Sequence, residues 1–253
     1  PYWDRAFYNG HYYSYFGIGP LLTVYYPYYL LTGALPGDAF VSMIYSALCA
    51  VLLLAVLEEL RKKFLPRVHL FLYVFGYITL FFASLIPLVM VSSNFYYIAV
   101  NGAMAFALLF FLLFLHAFSM KQGIPRRLCA AAAGIAFVLL VLCRPNAAIA
   151  GMCAAAPTAL LYLAEKDTVW KYKLLDLAAF VIPVAVGGAL ICAYNMARFG
   201  TPTEFGTSYQ LTVSDITYNT LRADPSRLLA FVYYDFLEPP NVSLIFPFIS
   251  LHK

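Results

Sequence analysis

Residues 95–120 read FYYIAVNGAMAFALLFFLLFLHAFSM, and residues 121–127 read KQGIPRR. The first stretch holds no Asp, Glu, Lys or Arg, over a length sufficient to carry an α-helix across a bilayer, for which about 20 apolar residues are needed. The second places three cations, Lys121, Arg126 and Arg127, directly at its foot. The same alternation runs outward in both directions. Apolar blocks at 39–57, 70–91, 128–143, 147–164 and 175–194 are each long enough to span, and Asp176 is the only Asp, Glu, Lys or Arg inside any of the six. A charge at mid-bilayer costs about 2.5–3.5 kcal/mol on insertion scales, so this absence is what lipid demands of a spanning helix.

Composition agrees. The chain is 63% hydrophobic and 11% charged, against about 25% charged in an ordinary soluble domain. So little charge cannot cover a water-facing surface. Cys49, Cys129, Cys143, Cys153 and Cys192 all fall inside apolar blocks, without CxxC spacing or a His/Cys cluster, and read as small packing residues. The net charge of +4 is modest and sits mostly in short turns, which marks orientation in a membrane and excludes nucleic acid as the partner.

Ten of the sixteen basic residues lie in three alternate turns: Arg61, Lys62, Lys63 and Arg67; Lys121, Arg126 and Arg127; Lys166, Lys171 and Lys173. The positive-inside rule names that side cytoplasmic. Stretch 17–34 has two readings, a true span or a helix lying along the outer interface. Tyr25, Tyr26, Tyr28 and Tyr29 around Pro27 favour the interface. The expected fold is therefore an all-α membrane protein, a polytopic transmembrane helix bundle with extracytoplasmic juxtamembrane helices. Residues 1–38 form an extracytoplasmic loop and juxtamembrane helix, 39–194 six transmembrane helices, 195–240 an extracytoplasmic loop, and 241–253 the start of a further transmembrane helix. The chain opens at Pro1 without Met and ends a few residues into an apolar run, so a fragment is expected.

On this parity the outer face collects Asp4, Arg5, Asn9, His11, Asn94, Asn101, Arg144, Asn146, Asn195, Arg198, Glu204, Asp215 and Asp235. Asn9 and Gly10 read as a tight turn, with Tyr8, Tyr12, Tyr13 and Tyr15 forming an aromatic wall. Such a wall suits sugar rings; it equally suits an interfacial aromatic belt. Asp4 is either a general base for an acceptor hydroxyl or a structural partner of Arg5. Arg144 runs against the charge bias and forms a sharp turn with Pro145 and Asn146. It binds a phosphate at the membrane surface or snorkels to headgroups, and Arg198 carries the same pair of readings. Asn241, Val242 and Ser243 match a glycosylation acceptor at the start of an apolar run, a position that discounts it.

Two runs carry a resemblance. YNGHYYSYFGIGPLLTVYYPYYLLTG, 8–33, resembles the first outer loop of the GT-C membrane glycosyltransferases, the superfamily of the protein O-mannosyltransferases and aminoarabinose transferases. NMARFGTPTEFGTSYQLT, 195–212, is similar to the segment after a later span in bacterial members. The resemblance implies an inverting hexosyl- or pentosyltransferase of the bacterial plasma membrane with its active face extracytoplasmic. Such an enzyme moves sugar from a polyprenyl-phosphate donor to a glycan, lipid or protein acceptor of the cell envelope. It further implies Arg144 and Arg198 as donor-phosphate ligands, and Asp4 as the acid acting as base or as ligand to a divalent metal ion. Tyr8, Asn9, His11, Tyr12, Glu204, Tyr209 and Gln210 would contact sugar and acceptor. The chain departs from the family in two places. The family's carboxylate lies well before the NG turn, which here would precede Pro1, and its frequent Lys-Pro-Pro is replaced by Gly17, Ile18, Gly19 and Pro20. A transporter or flippase of lipid-linked saccharides, and a non-catalytic assembly subunit, are the competing classes.

Overall fold

The computed structural model describes residues 5–14, 17–91, 94–166 and 168–211, with short pieces at 229–230, 233–234, 238, 241–242 and 249–250. The chain divides into two compact units, Pro1–Leu211 and Thr212–Lys253.

The first unit begins with a hairpin. Strands β1 (Ala6–Tyr8) and β2 (His11–Tyr13) pair antiparallel with Tyr8 opposite His11. Between them Asn9 and Gly10 both have positive φ, 49° and 80°, the combination that a type I′ turn needs and that Asn-Gly adopts at low cost. A helical run from residue 19 then takes one turn of π-helix over Leu21–Tyr25 and continues as α1, Tyr26–Thr32. At 1.5 Å per residue this run reaches about 21 Å, short of the roughly 30 Å hydrocarbon core. Thr23 anchors it, donating to the Gly19 carbonyl at 2.7 Å and sharing a 2.5 Å hydrogen bond with the buried Tyr45 hydroxyl.

Next come α2 (Asp38–Phe64), α3 (Leu70–Ala83), α4 (Ile86–Val91), α5 (Phe95–Ala117), α6 (Ile124–Cys143), α7 (Ala147–Ala164) and α8 (Trp170–Phe199). Among the described residues, α2, α5, α6, α7 and α8 are long and apolar enough to cross a membrane. Several outrun the charge-free blocks, because lysine, arginine and glutamate are good helix formers and charge at a helix end is solvated. Thus α2 carries Glu58 to Lys63, α6 begins at Ile124 with Arg126 and Arg127 in its first turns, and α8 begins at Trp170 and continues through Asn195 to Phe199. The loop expected from residue 195 therefore starts only at Gly200, whose φ of 72° caps α8.

Block 70–91 is not one helix. Ser84, at ψ 168°, ends α3 in extended backbone, and its hydroxyl accepts from the Ile86 amide at 3.3 Å. Pro87 sits in the first turn of α4, where a missing N–H costs nothing. The sixth expected span is thus a broken pair.

The five longer helices pack around α5, which touches α2, α4, α6 and α7, while α6 also packs on α8. Phe110 and Phe114 of α5 meet Phe180 of α8 at 5.9 and 5.4 Å, and Phe110 meets Phe137 of α6 at 5.2 Å. The exterior is as apolar as this core. No residue of α3 is buried, and α8 exposes Val181, Ile182, Val186 and Leu190, a pattern that fits lipid rather than water as the solvent.

Two buried polar groups tie the helices. Asn101, expected at the outer face, is fully buried between α2 and α5. Its amide donates to the Ser42 carbonyl at 3.0 Å and to the Ser46 hydroxyl at 2.9 Å, and the Ser42 hydroxyl donates to the Val89 carbonyl at 3.0 Å. At the lysine-rich end, the fully buried Asp176 of α8 accepts from Tyr162 at 2.8 Å and from Arg127 at 3.3 Å, with Arg126 Nε 3.1 Å away.

In the second unit, Asn241–Val242 and Ile249–Ser250 pair antiparallel as β3 and β4. This corrects the helical start expected over 241–253 at those four residues. Val242 and Ile249 are β-branched, and so short an apolar run does not separate strand from helix by periodicity. Asp4, Tyr15, Asp215 and Asp235 lie outside the described residues, as does most of 212–240.

Replacing Asn101 by Ala leaves the Ser46 hydroxyl and the Ser42 carbonyl short of a partner. The expected loss is about 1 kcal/mol of unfolding free energy, in line with hydrogen bonds between membrane helices. Denaturant titration of purified protein in detergent measures it.

Candidate functional site

At the end of the bundle opposite Asp176, the C-terminus of α6, the start of α7 and the C-terminus of α8 converge. A cavity of about 330 Å³ opens there, lined by Val141 to Asn146, by Ile191, Tyr194, Asn195 and Arg198 of α8, by Gly17 and Ile18, and by Phe205 and Thr207. The Gly17 backbone lies directly on the end of α6, where a Cβ would overlap the Leu142 carbonyl, so only glycine fits this approach.

Arg144 projects from the residue that terminates α6. Its backbone N–H closes the helix on Leu140 at 2.9 Å and its carbonyl accepts from Ala147 at 3.0 Å, which turns the chain into α7. Pro145 disfavours helix at the residue before it, and Arg144 is accordingly extended, at φ −151° and ψ 106°. Among the described residues the Arg144 guanidinium has neither a hydrogen bond nor an ion pair. Arg198, in the last turn of α8, is held firmly. It donates to Asn195 Oδ1 at 2.7 Å and to the Ser14 carbonyl at 3.2 Å, and lies 4.0 and 4.7 Å from the ring centres of Tyr194 and Phe199. Its Nε is buried with no partner among the described residues. Asn195, itself fully buried, donates in turn to the Pro202 carbonyl at 3.2 Å.

Both arginines stand at helix C-termini, where the peptide dipoles favour a cation. No acidic residue lines the pocket, so its two positive charges go unneutralised by protein among the described residues. The rest of the wall includes Ile18, Val141, Leu142, Ile191 and Phe205. A cationic centre with apolar flanks is suited to an amphiphilic anion.

Of the residues expected to bind ligand, Arg144 and Arg198 share this pocket, Tyr8 and Tyr209 pack on Phe199 next to Arg198, and Asp4 lies outside the described residues. Tyr8 and Tyr209 pack at 4.5 Å, and Phe199 joins them at 5.9 and 5.7 Å, with Tyr13 on its other side at 5.3 Å. Ala6 bridges to Gln210 and the Leu211 amide donates to the Arg5 carbonyl at 2.9 Å, so the hairpin and the 200–211 loop form one layer. Asn9, His11 and Tyr12 are exposed on the hairpin. Glu204 is occupied: its carboxylate accepts from the Gly206 amide at 2.6 Å, the Ser208 amide at 3.3 Å and the Ser208 hydroxyl at 2.7 Å. It shapes the turn that presents Phe205 and Thr207. Sequence reasoning gave no site role to Asn195, Tyr194 or Gly17. The i, i+3 spacing of Asn195 and Arg198 on one helix was the available signal.

Among the described residues no group of three or more His, Cys, Asp or Glu is placed to hold a metal ion, and two cationic side chains do not suit a divalent cation. No protein-family model, no curated protein and no solved structure matches the chain. Fold and site together define a predominantly helical protein with apolar helices of bilayer length and, among the described residues, an acid-free, two-arginine pocket at one end.

Burial pushes the Glu204 carboxyl upward, but the hydrogen bonds from Ser208, Gly206 and Thr207 outweigh it and hold the group below its ordinary value. A lowered carboxyl stabilises the 204–208 turn above its unfolded pKa of about 4.3 and loses that contribution as pH falls through the lower folded value. Amide protection at Gly206 and Ser208, measured by hydrogen exchange, should be flat from pH 7 to about 5 and fall below about pH 4. In Glu204→Gln it should be low throughout.

Proposed function

We propose that the chain is an integral membrane protein of the bacterial plasma membrane and part of a GT-C type glycosyltransferase. On this reading the two-arginine pocket faces the extracytoplasmic side and holds the phosphate of a polyprenyl-phosphate sugar, and the acceptor is a glycan, lipid or protein of the cell envelope. The observation that carries it is the pairing of two unneutralised guanidiniums with apolar walls in one pocket. The donor has the same two parts, a phosphate and a prenyl chain. The tyrosine layer of Tyr8, Tyr13 and Tyr209 stands beside the pocket through Phe199 and offers rings for a sugar to pack on.

The chemistry asked of the chain is limited. As the sugar leaves, negative charge returns to the phosphate, and fixed guanidiniums stabilise it in a site of low dielectric. An acceptor hydroxyl must lose its proton, a role that the resemblance carries over to Asp4. That no described carboxylate lines the pocket favours one second reading, a transporter or flippase of lipid-linked saccharides, which needs the phosphate site and no base.

Purified protein is incubated with labelled polyprenyl-phosphate sugar and an envelope acceptor fraction. Labelled product supports the transferase; donor binding without product supports the transporter. Arg144→Ala should lower transfer by about 100-fold, the usual cost of one donor to a developing oxyanion, while membrane insertion is unchanged. Full activity in that variant removes Arg144 from the site.

A further inference from the structure

The opposite end of the bundle holds a second cationic site. The sequence stretches 121–127 and 165–176, which hold the starts of α6 and α8, contain six basic and three acidic residues. Among these, Arg126 is 4% exposed and Asp176 is fully buried, so two adjacent guanidiniums, from Arg126 and Arg127, share one carboxylate. Arg126 Nη1 donates to the Met120 carbonyl at 3.2 Å and its plane lies 4.3 Å from the Tyr162 ring centre. Its Nε, although within ion-pair distance of Asp176, makes no hydrogen bond there, and its Nη2 has no partner among the described residues. Among the described residues Lys173, 4% exposed, finds main-chain acceptors alone, the Leu163 and Glu165 carbonyls. Buried positive charge therefore exceeds buried negative charge here among the described residues, a costly state that an outside anion would relieve.

A place for that anion adjoins the cluster. A cavity of about 410 Å³ is lined by Gln122, Gly123, Arg127, Thr168, Val169 and Tyr172. Arg127, about one-third exposed, faces both ways, with Nε on Asp176 and its side chain in the cavity wall. Gln122 and Tyr172 add neutral hydrogen-bonding groups, while the Thr168 hydroxyl donates to Glu165 at 3.1 Å. Exposed Trp170, Leu174 and Leu175 lie just beyond on α8, apolar neighbours suited to acyl chains at an interface. The cavity sits roughly 25 Å along α6 from the Arg144 pocket, so the two sites are independent.

We infer that this cavity binds the headgroup phosphate of an anionic membrane lipid, held by Arg127 with Arg126 and Lys173 behind it. The inference rests on the reading of the chain as membrane-embedded, and on nothing about sugar transfer. Juxtamembrane cations gather anionic lipid on the cytoplasmic leaflet; here a cavity with partly unsatisfied guanidinium behind it adds a defined seat.

The test reconstitutes the whole chain in vesicles of phosphatidylcholine containing a minor fraction of phosphatidylglycerol, and counts co-purified lipid by native mass spectrometry. The wild-type chain should retain phosphatidylglycerol at least tenfold above its share of the bilayer. Arg127→Gln should lose that enrichment, and Arg127→Lys should keep most of it. Inorganic phosphate at millimolar concentration should not displace the lipid; displacement would assign the site to a soluble phosphate and overturn the lipid assignment. Retention at bulk proportion, or enrichment untouched in Arg127→Gln, overturns it too. Failure of the chain to enter vesicles of either composition would instead refute the membrane reading itself.

Discussion

Within the described long helices charge is confined to the ends, because between those ends almost only apolar side chains are present to surround it. The exceptions confirm how strict the constraint is. Asp176 lies one residue inside the apolar block and is reached by Arg127, Tyr162 and the edge of Arg126. Asn101, deeper still, has its amide engaged by Ser42 and Ser46. A polar group withdrawn from water must bring its partner along, and in these places it does. The pocket at the far end is different. There Arg144 and Arg198 converge with no acid beside them among the described residues, and the constraint that explains the rest of the bundle points to a ligand from outside.

That contrast gives the bundle a polarity. One end spends a carboxylate on its arginines and still retains a surplus of cations over a cavity. The other presents two arginines on apolar walls, flanked by a layer of tyrosines. The layer is built from distant parts of the chain: the hairpin at 6–13 supplies Tyr8 and Tyr13, the end of α8 supplies Phe199, and the 204–211 loop supplies Tyr209. Glu204 folds that loop on itself through Ser208 and Gly206. The proposed donor-binding role depends on this convergence, since a phosphate ligand alone would not position a sugar.

The helices were legible because lipid-length blocks without charge are a strong signal, and the Asn9–Gly10 turn because positive φ at both positions is a property of those residues. Helix ends were less so: Arg126, Lys171 and Lys173 read as loop residues by charge, yet continue helices that extend past the apolar core. The break in 70–91 was written in Ser84 and Pro87, a cap and a first-turn proline hidden inside an unbroken apolar run. Asn101 was assigned to the outer face by proximity to the helix start, whereas its burial follows from which side of α5 meets α2, a tertiary fact. Of the site, the two arginines could be named from their position against the charge bias. Their company, Asn195, Tyr194 and the Gly17 backbone, depends on three segments meeting, which no local pattern encodes.

The account stands or falls on sidedness: the hairpin, the Arg144 turn and the 200–211 loop must share one aqueous compartment, opposite the lysine-rich turns. Single cysteines at Ser14, Thr207, Lys121 and Lys171, each in a chain whose five native cysteines are replaced by alanine, report it when intact cells are treated with an impermeant thiol reagent. Labelling at 14 and 207 with protection at 121 and 171 is the predicted result. The reverse pattern, protection at 14 and 207 with ready labelling at 121 and 171, would contradict it and place the arginine pocket on the wrong face for the proposed chemistry.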